Sequence, residues 1–165
     1  MVDLQMILID GALLTAAFTV FVLGIMLWKP RLLLQDFPPD LQALIPPNTP
    51  QEKRLTNVMS VPLFAILLTA LVWTGIRYGV AQGFGALVLH VYLVWQVMNI
   101  FDLLVIDGIG MFAVDPANPP YPGTENAKGY RDFGFHLRGY VKGSAMGIVI
   151  ALVVAAGVWL TLISF

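Results

Sequence analysis

Four carboxylates and an imidazole, Asp102, Asp107, Glu125, Asp132 and His136, crowd one stretch of an otherwise apolar chain. Oxygen ligands with one imidazole suit a hard divalent cation such as Mg²⁺ or Mn²⁺, and the same groups exchange protons near neutral pH. The metal reading takes Asp102, Asp107, Glu125 and His136 as ligands, with Asn99 and Tyr130 completing a polar site. The plainer reading makes them ion pairs with basic residues of the same region. Asp132 and His136 stand one helical turn apart, which suits a salt bridge or a shared metal equally. Asn99 and Asp102 share a helix face, whereas Asp102 and Asp107 differ by about 140° at 100° per residue. The two aspartates converge only if the helix unwinds near Gly108 and Gly110.

Arg131, Arg138 and Lys142 fall within a narrow arc. That cationic stripe is suited to anionic lipid, at about 1 kcal/mol per residue near the surface. Its sharper role is to clamp a phosphate, a lipid headgroup or a carboxylate. His90, beside Tyr92 and Trp95, reads as an interfacial or core residue.

The elements that must hold these groups follow from apolar length. A spanning helix needs about 20 apolar residues, and four stretches qualify, at about 6–28, 58–76, 84–106 and 144–165. The chain is 58% hydrophobic and 12% charged, with a mean hydropathy of +0.81, outside the usual soluble range. Eight of the nine Lys and Arg residues lie in the loops 29–57 and 107–143. Because cytoplasmic loops carry the Lys and Arg excess, both large loops are expected in the cytoplasm and both termini outside. The resulting fold class is all-α, an integral membrane four-helix bundle in one transmembrane domain, with short interfacial helices in its loops. A nucleic-acid partner is disfavoured, since the basic residues sit beside membrane spans. The first apolar stretch lacks a basic leader, which predicts that it stays in the chain. With no cysteine in the sequence, thiolate chemistry and Cys-ligated metals are excluded.

Local signals bound the helices. Pro38, Pro39, Pro46, Pro47 and Pro50 break the first loop, leaving room for one helical turn over 40–45. Thr49, Pro50 and Glu52 form a helix start, with Thr49 as cap and Glu52 closing a capping box. Gly139, Gly143, Gly147, Ala151 and Ala155 recur every four residues, a small-residue ridge of the kind that lets helices approach closely in lipid. The ridge serves either packing within the chain or self-association.

Neither a P-loop nor HExxH, GxSxG or a dinucleotide glycine motif is present. The run from Asn99 to Asp107, then Pro122 to Glu125, then Tyr130, His136, Arg138 and Gly139, resembles a group of small bacterial multispanning proteins to which no activity attaches. The resemblance covers the carboxyl-terminal half and implies a bacterial inner (cytoplasmic) membrane setting. The leading expectation is a multi-pass protein with a cytoplasm-facing polar site for a lipid headgroup, small anion or divalent cation. If it is an enzyme, metal-assisted chemistry on a membrane-embedded substrate fits best. The alternative is an accessory or scaffold subunit of a larger membrane complex. Membrane lipids and further copies of the chain are the expected partners.

Overall fold

A computed structural model describes residues 3–115 and 117–164. Its helices are α1 (Leu4–Trp28), α2 (Pro39–Leu44), α3 (Pro50–Tyr78), α4 (Phe84–Phe101), α5 (Gly108–Ala113) and α6 (Phe133–Ile163). A π-helical segment, Asp102–Asp107, joins α4 to α5, and short 3-10 helices cover Pro30–Asp36 and Lys128–Arg131. There is no strand among the described residues. Four helices are long and apolar enough to cross a membrane, namely α1, α3, the run Phe84–Met111 and α6.

Helix starts are where the capping residues put them. The Thr49 hydroxyl accepts the Glu52 N–H at 3.2 Å while the Glu52 carboxylate accepts the Thr49 N–H at 2.7 Å, closing the box. Asp3 accepts the Met6 N–H at 3.0 Å to open α1. The interfacial helix and the fourth span form one element, because α6 runs unbroken from Phe133 once Asp132 has accepted the Phe135 N–H at 2.9 Å.

α4 is the central helix. Its Leu87, Val91, Val94, Trp95 and Met98 pack against Ile7 and Leu14 of α1, Leu67 and Leu71 of α3, and Ala151, Ala155 and Val158 of α6. Of its apolar window 39% is buried, against 11% for α3, so α4 occupies the bundle interior and α3 lies at its flank. Small residues permit the close approaches. A Cβ on Gly11 would lie 2.6 Å from the Val97 Cβ, and one on Gly143 would lie 2.6 Å from Asn99 Oδ1. A Cβ on Gly147 would run into the Trp95 ring, and Ala151 and Ala155 are buried. From Gly143 onward the small-residue ridge is therefore the seam between α6 and α4 of the same chain; Gly139 alone faces open space.

Both large loops meet at one end of the bundle and clasp each other. Tyr121 donates its hydroxyl to the Pro30 carbonyl at 2.8 Å, and the Gly129 N–H donates to Asp40 Oδ2 at 2.8 Å. Leu34, Ile45 and Tyr121 form a small apolar cluster, with the Phe37 ring edge-on to Tyr121 at 5.4 Å. Arg31 pairs with Glu52 at 2.7 Å across the first loop. The α3–α4 turn closes the opposite end, where Gly79 (φ 74) and Gly83 (φ 89) adopt a backbone region open mainly to glycine.

Candidate functional site

At the loop end, the π-helical segment sets the geometry. Its backbone bonds run from residue i to i+5, as in the Gly108 N–H to the Leu103 carbonyl. The widened turn brings residue 107, five positions on, beneath residue 102. The unwinding expected near Gly108 and Gly110 thus lies in 102–107 itself, and α-helix resumes at Gly108. Asp107 Oδ2 pairs with His136 Nδ1 of α6 at 3.0 Å. Asp102, half-buried, lies within the electrostatic reach of Asp107, His136 and Asp36. Among the described residues no hydrogen bond or ion pair engages the Asp102 carboxylate.

Asn99, one turn before Asp102, is fully engaged in the helix seam. Its amide donates to the Gln96 side chain at 3.2 Å, the Tyr140 carbonyl at 3.2 Å and the Ser144 hydroxyl at 3.0 Å. Trp95 adds an indole N–H to the Gly143 carbonyl at 3.0 Å. The glycine at 143 is what exposes that carbonyl and admits Asn99.

The remaining candidates disperse. Glu125 folds back to accept the Gly123 N–H at 3.0 Å, which holds its carboxyl below the usual range. Tyr130 is buried in the loop clasp, its hydroxyl 2.8 Å from that of Thr124. Asp132 caps α6 and lies 3.8 Å from Arg138, so it does not pair with His136. The four-ligand cluster of Asp102, Asp107, Glu125 and His136 is not assembled, and among the described residues no three His, Asp or Glu side chains could hold a metal ion.

The cationic stripe points elsewhere. Arg138 and Lys142 lie about 200° and 240° round α6 from His136, and both are exposed, as is Arg131. A ligand at Asp102 and Asp107 therefore has no access to those cations.

The opposite end holds a second polar cluster that sequence reasoning did not assemble. Arg77 Nη1 pairs with Asp10 Oδ1 at 2.6 Å, and the Thr74 hydroxyl donates to the other Asp10 oxygen. His90 Nε2 lies 2.8 Å from the Thr74 hydroxyl, and the Tyr78 ring stacks on His90 at 4.3 Å. Since Thr74 has one proton and gives it to Asp10, His90 must donate from Nε2, leaving Nδ1 as a bare acceptor. A signal for this cluster was present. Asp10 is the charge of the first span, Arg77 is the cation outside the two large loops, and each needs an answer in lipid.

No family model, curated protein or solved structure matches this chain.

Proposed function

We propose that this chain is a multi-pass protein of the bacterial cytoplasmic membrane that binds a cationic group at the cytoplasm-facing end of the α4–α6 seam. Asp102 supplies the open charge, and Asp107, steadied by His136, supplies the second carboxylate. The observation that carries this reading is the unanswered Asp102 carboxylate at a membrane boundary. An intramembrane ionisable group costs about 2.5–3.5 kcal/mol at the bilayer centre and less near its edge. A carboxylate kept there without a protein partner is free to take one from outside the chain.

An organic ammonium group fits this geometry better than a divalent metal. It carries one charge and its own N–H donors, and it does not require three or more ligand atoms from the protein. Its source is either a small amine or the amine of a lipid headgroup. Orientation rests on the Lys and Arg excess of the two clasped loops. An accessory subunit docking through the glycine ridge loses support, because Asn99 and Trp95 of the same chain cover Gly143 and Gly147.

The test is binding of ethylammonium and of phosphatidylethanolamine to the full chain in nanodiscs, by calorimetry and by native mass spectrometry. Asp102→Asn should weaken whichever probe binds by at least about tenfold, roughly 1.4 kcal/mol, while Arg138→Gln leaves it unchanged. Retention by phosphatidylethanolamine alone identifies a lipid ligand; binding of ethylammonium identifies a small amine. Equal binding by wild type and Asp102→Asn sinks the reading.

A further inference from the structure

The cationic stripe has no part in the acidic site, and α6 places two of its members on the side that its own seam leaves bare. Counted from His136 at 100° per residue, Gly143, Gly147, Ala151 and Ala155 of the seam fall between about −20° and 100°. Arg138 and Lys142 fall at about 200° and 240°, centred opposite that seam. Further along α6, Ala145, Val149, Leu152 and Val153 lie on the same side, at about 160° to 260°. All four are exposed, Val149 by 61% and Val153 by 68%. Two cations and an apolar column therefore share one face of one helix.

Their depth follows from length. α6 has 31 residues, about 46 Å at 1.5 Å per residue, against a hydrocarbon core of about 30 Å. Its part without charge, 143–163, has the length of that core. Lys142 and Arg138 stand just beyond it on the loop side. Helical side chains lean toward the helix N-terminus, here away from the core, and the long stems of Lys and Arg carry the charge on into the headgroup layer. Gly134 gives the longer of the two its room, since a Cβ there would lie 3.4 Å from Arg138 Nη1.

Neither cation is answered as Arg31 is by Glu52 at 2.7 Å or Arg77 by Asp10 at 2.6 Å. Lys142 has no hydrogen bond or ion pair among the described residues. Arg138 meets Asp132 at 3.8 Å, a long contact between side chains 66% and 42% exposed, and such pairs contribute little. The complement of this pair is a phosphate, which the guanidinium takes through its fork and the ammonium as a point charge. One helical turn separates the two residues, so both reach the same group. A phosphate at the membrane edge with an apolar chain directly beneath it belongs to a phospholipid. A choline or ethanolamine headgroup would bring its own cation against Arg138 and Lys142, whereas a glycerol headgroup brings none.

We propose that this face of α6 holds one anionic phospholipid, its phosphate between Arg138 and Lys142 and an acyl chain along Ala145, Val149 and Val153. The site uses neither Asp102 nor Asp107 and is independent of the cation site.

Native mass spectrometry of the full chain, released from nanodiscs of equal phosphatidylglycerol and phosphatidylcholine with matched chains, tests this directly. The expected result is one phosphatidylglycerol retained per chain, preferred over phosphatidylcholine by about tenfold or more. A cation near an anionic surface contributes about fivefold, so Arg138→Gln and Lys142→Gln should each cut the preference by about that factor. Together they should nearly abolish it. Lys53→Gln combined with Arg54→Gln removes the same charge from the start of α3 and should leave the preference near that of wild type. All four positions are exposed, so the fold stands in each variant. Equal retention of the two lipids by wild type overturns the proposal, and so does an equal loss in the two double variants, because the attraction is then diffuse. Saturable binding of glycerol phosphate to the chain in phosphatidylcholine nanodiscs, lost with Arg138→Gln and Lys142→Gln, also overturns it, since the ligand is then a soluble anion.

Discussion

The two ends of the bundle treat carboxylates in opposite ways. Asp10, with a side chain 6% exposed, is met by Arg77 and by the Thr74 hydroxyl, and Thr74 passes the network on to His90. Asp102 is less buried, and among the described residues no hydrogen bond or ion pair engages it, although His136 and Asp107 lie within electrostatic reach. In a low-dielectric setting the first arrangement is what holds three helices together, because removing one partner strands the others. The second contributes nothing to cohesion. Burial with full pairing marks architecture, and accessibility without pairing leaves the carboxylate available to a ligand, as the proposed cation site requires.

Breaking the answered end should have the largest effect. Asp10→Ala leaves Arg77 and Thr74 without their acceptor and is expected to destabilise the bundle by about 3 kcal/mol, the low end for a broken buried pair because Arg77 is partly exposed. Unfolding in mixed micelles, followed by circular dichroism, measures it. A loss below about 1 kcal/mol would erase the contrast between the ends.

The seam that carries Asn99 toward the open end comes next. Gly147→Leu forces a side chain into the Trp95 ring and should cost about 2 kcal/mol by overpacking. Gly139→Leu, at a position facing open space, should be near neutral in the same assay. If both variants behave alike, the ridge does not act within the chain.

The loop clasp sets an intermediate scale. Burial first, and the neighbouring Tyr130 second, push the Tyr121 phenol up to about 12 from its ordinary 10.0. The folded form therefore holds its proton where the unfolded form releases it. Stability from this group is present in full below about pH 10 and is lost as pH rises toward about 12. Thermal unfolding followed across that window should show the decline, and Tyr121→Phe should flatten it. That substitution also removes the hydrogen bond to Pro30, at about 1 kcal/mol.

The smallest effect on stability should come from Asp102→Asn, within about 0.5 kcal/mol of wild type or slightly stabilising, since no hydrogen bond or ion pair among the described residues depends on that carboxyl group. Set against its expected loss of cation binding, this sharpens the contrast most. A strongly destabilised Asp102→Asn would show a structural role instead.

Local features of the fold were legible in the sequence, and pairings between distant segments were not. Thr49, Pro50 and Glu52 announce a helix start within four residues, and the apolar stretches announce the four spanning helices by length. The glycine ridge was visible, but its partner depends on which helix lies opposite. Asp132 and His136 looked paired because four-residue spacing puts side chains together inside a helix. Asp132 is the cap, at φ −81 and ψ 79, so that rule does not reach it, and His136 turns to Asp107 instead. The convergence of Asp102 and Asp107 was hidden for a related reason. A fixed 100° per residue has no place for a π-helical turn, and no residue type announces one. The Asp10–Arg77 pair spans 67 residues and was recoverable only by asking what each isolated charge required.

The central position of α4 has a consequence for how the chain is made. α1 rests chiefly on α4 and only lightly on α3, so these two helices, both made before α4, have little to hold each other until it is complete. The first large loop waits as well, because the hydroxyl that ties down Pro30 is 91 residues downstream. At roughly 5–20 residues per second that delay is on the order of 5–20 seconds. During it, Leu34 and Ile45 lie without their later cover. The bundle core and the loop clasp are thus completed only once α4 and the loop 107–143 have been made, and the earlier segments stay partly uncovered until then.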